Sequence, residues 1–86
     1  GYFSGLFVML KAMYYVYILH SETFDRFYVG FTNNLERRLF EHNELPGPHF
    51  TNRFRPWKLI ASFDVGNSKS LALSIERHIK RQKSKL

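Results

Sequence analysis

Apolar and aromatic positions fall into four groups along the chain. Tyr14–Leu19 (YYVYIL) and Phe27–Phe31 (FYVGF) consist of aromatic, β-branched and aliphatic residues, with a polar break from His20 to Arg26 between them. That pattern predicts a β-hairpin. In the first run Tyr14, Val16 and Ile18 face one way and Tyr15, Tyr17 and Leu19 the other. The hydroxyls of Tyr17 and Tyr28 can project to one side, although a break of this length does not set the register. Gly30, inside the second run, implies either a close backbone approach or a bulge.

The third group follows a polar step, Thr32-Asn33-Asn34. Asn33 is expected to cap a helix over Leu35–His42, with Glu36 answering it as in a capping box. At about 100° per residue, Leu35, Leu39 and His42 fall within roughly 60° of one another, Arg38 sits on the shoulder, and Arg37 and Phe40 point elsewhere. Glu44 to Trp57, broken by Pro46-Gly47-Pro48, reads as a loop. The last group begins with a strand, Lys58–Val65, antiparallel to one of the others. A turn over Val65–Ser68 then leads to a helix from about Lys69 to Lys83, capped by Ser68 or Asn67. Leu71, Ala72, Ile75 and Ile79 form its core stripe, Glu76 lies on the shoulder, and Arg77, Lys80, Arg81 and Lys85 make a basic far face. The predicted fold is α+β, a small three-stranded, mainly antiparallel sheet flanked by helices in the order β-β-α-β-α.

Composition narrows this further. The chain has 86 residues, 44% of them hydrophobic and 17% aromatic, which suits one folded domain over 13–86. Residues 1–12 are read as a lead or an alternative start before Met13. Their apolar run, Leu6–Leu10, is far short of the ~20 residues of a membrane span. No membrane role is expected. With no cysteine there is no disulfide, zinc-thiolate site or thiol nucleophile, and a cytoplasmic location is expected. A net charge of +6 and a pI near 9.9 favour a polyanionic partner.

Candidate chemistry gathers around the hairpin and the first helix. Arg38 leans toward apolar surface, which is unfavourable unless an anion meets it, and the strands beside it supply tyrosines instead. A ligand is the expected anion. His20, His42, His49 and His78 make no metal-ligand pattern, and Glu76 and His78 diverge by about 200° on a helix, so a zinc hydrolase is not expected. Arg53, Arg55 and Lys58 alternate with Phe54 and Trp57. Either the cations hold phosphates while the rings stack on bases, or the rings seal the core beneath solvated cations. The basic residues Lys80 and Arg81 join Arg53, Arg55 and Lys58 as candidate nucleic-acid contacts. Read alone, Glu76 is a surface acid paired with Lys80.

Tyr15-Val16-Tyr17, Tyr28-Val29-Gly30, Arg38 ten residues after Tyr28, His42, and Glu76 within ALSIERHIKR occur in an order that resembles the GIY-YIG nuclease domain. The likeness runs from about Met13 to Arg81, closest to small stand-alone bacterial members related to an excision-repair incision subunit. Tyr15 departs from it, standing where the first tripeptide carries glycine.

The resemblance implies a metal-dependent endonuclease acting on phosphodiester bonds of DNA, including structured or damaged DNA, with a role in DNA repair. Its implied catalytic residues are Tyr17, Tyr28, Arg38, His42 and Glu76. Glu76 would hold one Mg²⁺ or Mn²⁺, and water and phosphate oxygens would complete the shell. Arg38 would meet the charge on phosphorus, and Tyr17 would orient or deprotonate the water with Tyr28 and His42 in support. A free tyrosine, with its pKa near 10, is ionised only about once in a thousand at pH 7, so Tyr17 and His42 both remain as the base. The scheme requires Arg38 and Glu76 to face one hollow and Tyr17 to meet solvent. Alternatives are a nucleic-acid-binding module that cleaves little, and a subunit activated by a protein partner.

Overall fold

Two hairpin strands, a helix, a third strand and a second helix follow one another through residues 13–46 and 50–83, which the computed structural model describes. They are β1 (Tyr15–Ser21), β2 (Arg26–Thr32), α1 (Leu35–Glu44), β3 (Lys58–Asp64) and α2 (Lys69–Lys83), with a short 3₁₀ helix at Phe50–Phe54. The strands form one antiparallel sheet in the order β2-β1-β3. The expected α+β architecture is therefore the one observed. The lead at 1–12, the Pro-Gly-Pro stretch from residue 47, His49 and Lys85 lie outside the described residues.

Pairing runs further than the apolar runs suggested, to Ser21 opposite Arg26, because Asp25 takes φ 50° and closes a short turn. An aspartate tolerates that left-handed conformation better than most residues. Tyr17 pairs with Gly30 and Leu19 with Tyr28, in an unbroken β1–β2 register. The one irregularity lies between Ile18 and Leu19, against β3.

Each sheet face carries its own core. Tyr17, Leu19 and Trp57 pack with Tyr28, Leu35, Leu39 and Phe54, which places α1 over this face. Val16, Val29 and Ala72 pack with Ile18, Phe31, Ile75 and Ile79, which places α2 over the other. Burying a valine or leucine contributes about 1.5–3 kcal/mol, so these clusters fix the α1–sheet–α2 order. Leu71 departs from the expected stripe at 48% exposed, because α2 meets the sheet through Ala72, Ile75 and Ile79.

Caps set where the helices begin. Ser68 Oγ accepts from the Leu71 amide, one of the two expected caps. For α1 the cap is Asn34 and not Asn33, its Oδ1 accepting from the Arg37 amide at 3.0 Å. The Thr32 hydroxyl accepts from the Asn34 amide and holds Asn34 extended, so the helix starts at Leu35 as expected but the cap lies one residue later and Glu36 falls out of capping-box position.

Candidate active site

Gly30 determines where the central phenol lies. A Cβ built on it would fall 2.7 Å from Tyr17 Oη and 3.0 Å from Tyr28 Cε1. The Tyr17 side chain therefore crosses β2 over Gly30 and carries its hydroxyl toward the β2 edge. The close approach anticipated at this glycine is made by a tyrosine, with no bulge. The Tyr17 and Tyr28 rings lie 6.2 Å apart between centroids.

His42 meets both tyrosines from α1. Its Nε2 lies 2.9 Å from Tyr17 Oη and its Nδ1 3.1 Å from Thr51 Oγ1, and its ring centroid stands 4.7 Å from that of Tyr28. Either neutral tautomer satisfies both hydrogen bonds, since each hydroxyl can donate or accept. Burial, reinforced by the Arg38 charge, pushes the His42 pKa down to about 4, so the ring is neutral at pH 7. Burial also pushes Tyr17 up to about 12; Tyr28 adds to the rise, and Arg38 works against it.

Tyr17 does not meet the solvent condition, being only 2% exposed. Tyr28 is the half-buried phenol, and it borders an open hollow of about 360 Å³ with Arg26, Phe50, Phe54, Lys80 and Lys83. Arg38 borders a separate hollow of about 360 Å³ with Tyr14, Phe31, Arg37, Glu41 and Lys69. The two lie toward opposite ends of β2. Because α2 runs from Lys69 at one hollow to Lys80 and Lys83 at the other, Glu76 stands between them. Arg38 and Glu76 thus flank Tyr17, whose hydroxyl feels both charges, but they do not share one hollow.

Arg38 has found its anion within its own helix. Its Nη1 donates to Glu41 Oε1 at 2.9 Å, an i,i+3 pair visible in the sequence as Arg-x-x-Glu. Burial opposes the guanidinium charge, but Glu41 and Tyr17 more than offset it, and the pKa is raised. Glu41, hydrogen-bonded by Arg38, is held below its ordinary value.

Glu76 is buried at 9% exposure, although its carboxylate receives Lys80 Nζ at 2.7 Å, the pair expected of a surface acid. Among the described residues no group of three or more His, Cys, Asp or Glu side chains could hold a metal. A lone buried carboxylate suits an ion such as Mg²⁺ that keeps its waters, and the Lys80 ammonium shows that the position accepts positive charge. A dedicated protein cage does not fit.

The remaining basic candidates disperse. Arg55 is a structural residue: its Nε donates to the His42 carbonyl at 2.6 Å and its Nη2 to those of Glu41 and Leu45, closing the end of α1. Trp57 seals the core at 4% exposed, its Nε1–H donating to the Thr51 carbonyl. Arg53 rests on the Phe54 ring, and Lys58 is exposed on β3. Lys80 holds Glu76, and Arg81 borders the outer side of α2 with Arg77. Sequence reasoning missed Thr51, which orients His42 from a segment read as loop, and Asn43, which clamps both the amide and the carbonyl of Trp57. No local signal marks either, because both depend on contacts across the fold.

A three-stranded antiparallel sheet whose central and edge strands each bring a tyrosine to a helix-borne Arg and His, with a buried Glu opposite, defines a small α+β domain with a polar centre at one sheet edge. The chain belongs to the GIY-YIG family: the model of the GIY-YIG catalytic domain matches residues 13–86, and the family is one of endonucleases, whose substrate is nucleic acid. The chain is 40% identical over 76 residues to a UPF0213 protein of Limosilactobacillus reuteri, covering 86% of this chain and 77% of that one. It is 41% identical over 69 residues to a UPF0213 protein of Clostridium perfringens, covering 80% and 72%. It is also 36% identical over 69 residues to a structure-specific endonuclease subunit SLX1 homolog of Giardia intestinalis, covering 78% of this chain and 19% of that protein. Among the described residues no helix is long and apolar enough to cross a membrane.

Proposed function

We propose that this protein hydrolyses phosphodiester bonds in DNA with the help of one divalent metal ion, in the cytoplasm, on substrates that depart from uniform duplex. The observation that carries this reading is the meeting of Tyr17, Tyr28 and a neutral His42 at the β2 edge, with Arg38 on one flank and Glu76 on the other. The structure-specific endonuclease subunit among its relatives supports the choice of substrate, and a repair role follows from such a substrate.

Burial of Tyr17 changes the assignment of roles. With a pKa of about 12 it would be ionised in only about one molecule in 10⁵ at pH 7, which disfavours a phenolate base. Neutral His42 is the better acceptor. With Nε2 unprotonated, the Tyr17 hydroxyl would pass its proton to Nε2 as its oxygen takes one from the attacking water, a relay that requires substrate to open the sealed Tyr17 toward the Tyr28 hollow, while Nδ1–H donates to Thr51 Oγ1. Tyr28, which borders the open hollow, orients that water and the phosphate. Arg38, positioned by Glu41, stabilises charge on the phosphoryl oxygens. A Mg²⁺ or Mn²⁺ ion held on Glu76, once Lys80 yields, would neutralise the phosphate and the leaving oxygen.

Two observations favour a second reading, a binding module that cleaves little: Tyr17 is nearly sealed and Glu76 is already paired. The test is a panel of end-labelled flap, branched, duplex and single-stranded DNAs and RNAs, incubated with Mg²⁺ or Mn²⁺ or with chelator. Metal-dependent scission of at least one DNA supports the nuclease. Tight binding with intact substrate throughout selects the binding module, unless lysate restores cleavage and identifies a partner-activated subunit.

A further inference from the structure

We infer that the hollow beside Tyr28 is a subsite for one unpaired nucleotide adjoining the cleaved phosphate, with Phe50 as the stacking platform and Arg26 as the phosphate contact. Its location next to the reacting centre rests on the nuclease reading. Its binding chemistry does not.

Phe50 and Phe54 line one rim of this hollow, and Phe24 packs on Phe54 behind them. The Phe24 and Phe50 rings stand 5.5 and 5.3 Å from that of Phe54, and Phe50 is 63% exposed. Adjacent aromatic rings left in water are unfavourable unless something is meant to cover them. The Arg26 guanidinium lies 4.9 Å from the Phe54 centroid and Arg53 5.8 Å, so two planar cations that stack on bases and pair with phosphates frame the rings. Lys80 and Lys83 form the facing wall. Of the carboxylates that could oppose an anion here, Asp25 is engaged by His20 at 3.2 Å and Glu76 by Lys80.

Cations around an exposed aromatic platform match a nucleotide in both parts, base and phosphate. An acidic peptide would use only the cations. About 360 Å³ is at the low end of the roughly 300–1,000 Å³ of small-ligand sites, room enough for one nucleobase. A base inside a duplex keeps its faces against its neighbours, so only an unpaired one can lie on Phe50. Of these residues, Arg53 and Phe54 belong to the alternation noted in the sequence, whereas Arg26 and Phe50 do not; β2 and the 3₁₀ helix bring them together.

The test measures fluorescence anisotropy of a labelled oligothymidylate and of a labelled blunt hairpin duplex, in chelator and at fixed salt, with the full chain. Phe50→Ala is expected to weaken single-strand binding about tenfold, within the range measured for loss of one base–aromatic stack, with less than about twofold effect on the duplex, and Phe50→Trp to restore it. Arg26→Ala is expected to follow Phe50→Ala. Phe50 is at the surface, and unchanged emission from Trp57 verifies that the fold persists. Equal loss on both ligands, or none on the single strand, overturns the subsite, as does an acidic peptide competing as well as the oligonucleotide. A parent that cleaves while Phe50→Ala binds normally sinks the subsite alone. A parent that never cleaves yet prefers single strands through Phe50 keeps the subsite and sinks the nuclease reading alone.

Discussion

The centre depends on what one glycine leaves out. Any side chain at Gly30 would enter the space of the Tyr17 hydroxyl, so Gly30→Ala is expected to displace the phenol from His42. Thermal melting should show a loss of about 1–3 kcal/mol, the usual range for overpacking. Unchanged melting with an intact Tyr17–His42 contact would contradict the geometry. The glycine was conspicuous in the sequence, but its reason was not, since only the pairing of Tyr17 with Gly30 shows that a phenol lies on it.

His42 carries the pH dependence. Its folded pKa of about 4 lies below the ordinary 6.5, so the unfolded chain binds more protons between those values. The stability this histidine confers is full above about pH 6.5 and declines as pH falls toward 4, by an amount on the order of 3 kcal/mol. Denaturant titrations of the parent and His42→Gln should converge over that window. The same value bears on rate: kcat/KM should rise near pH 4 and then level off. A rate that keeps climbing toward pH 12 would assign the base to Tyr17 phenolate instead.

At the scale of elements, both helices and all three strands were legible, because apolar periodicity and the Ser68 cap act locally. The start of α1 at Leu35 was legible but its cap was not, since Thr32 decides between two adjacent asparagines. Its far end was misread in kind. Arg55 looked like a phosphate contact, whereas it satisfies carbonyls that a helix terminus leaves open. Arg55→Ala is therefore expected to destabilise the fold by about 1–3 kcal/mol, with affinity for DNA nearly unchanged. Lysine, with one ammonium in place of a fork, should not rescue it. If Arg55→Ala instead melts like the parent and binds DNA weakly, the capping role is wrong.

Across the whole molecule the formal charge is +6, and the described cations divide between faces. Arg26, Arg38, Lys69, Lys80 and Lys83 border the hollows along the β2–α2 edge, whereas Lys58 lies away on β3 and Arg77 and Arg81 lie on the outer side of α2. They could not be sorted from the order of residues alone, which shows how many cations there are and not which element turns them inward. Each phosphate neutralised on duplex DNA contributes about −0.9 to the log–log salt slope. Lys69→Ala should lower the magnitude of that slope by about one contact, whereas Lys58→Ala should leave it unchanged, as read from binding isotherms at several salt concentrations.

Glu76 is proposed to take part in scission and not merely to hold Lys80. Single-turnover cleavage of whichever labelled DNA the parent cuts, compared between parent and Glu76→Gln with binding to that DNA measured alongside, decides the point. Glu76→Gln is expected to bind as the parent does and to lose metal-dependent cleavage by about 10²-fold or more. Cleavage at the parent's rate would remove Glu76 from the reaction and leave it as the partner of Lys80.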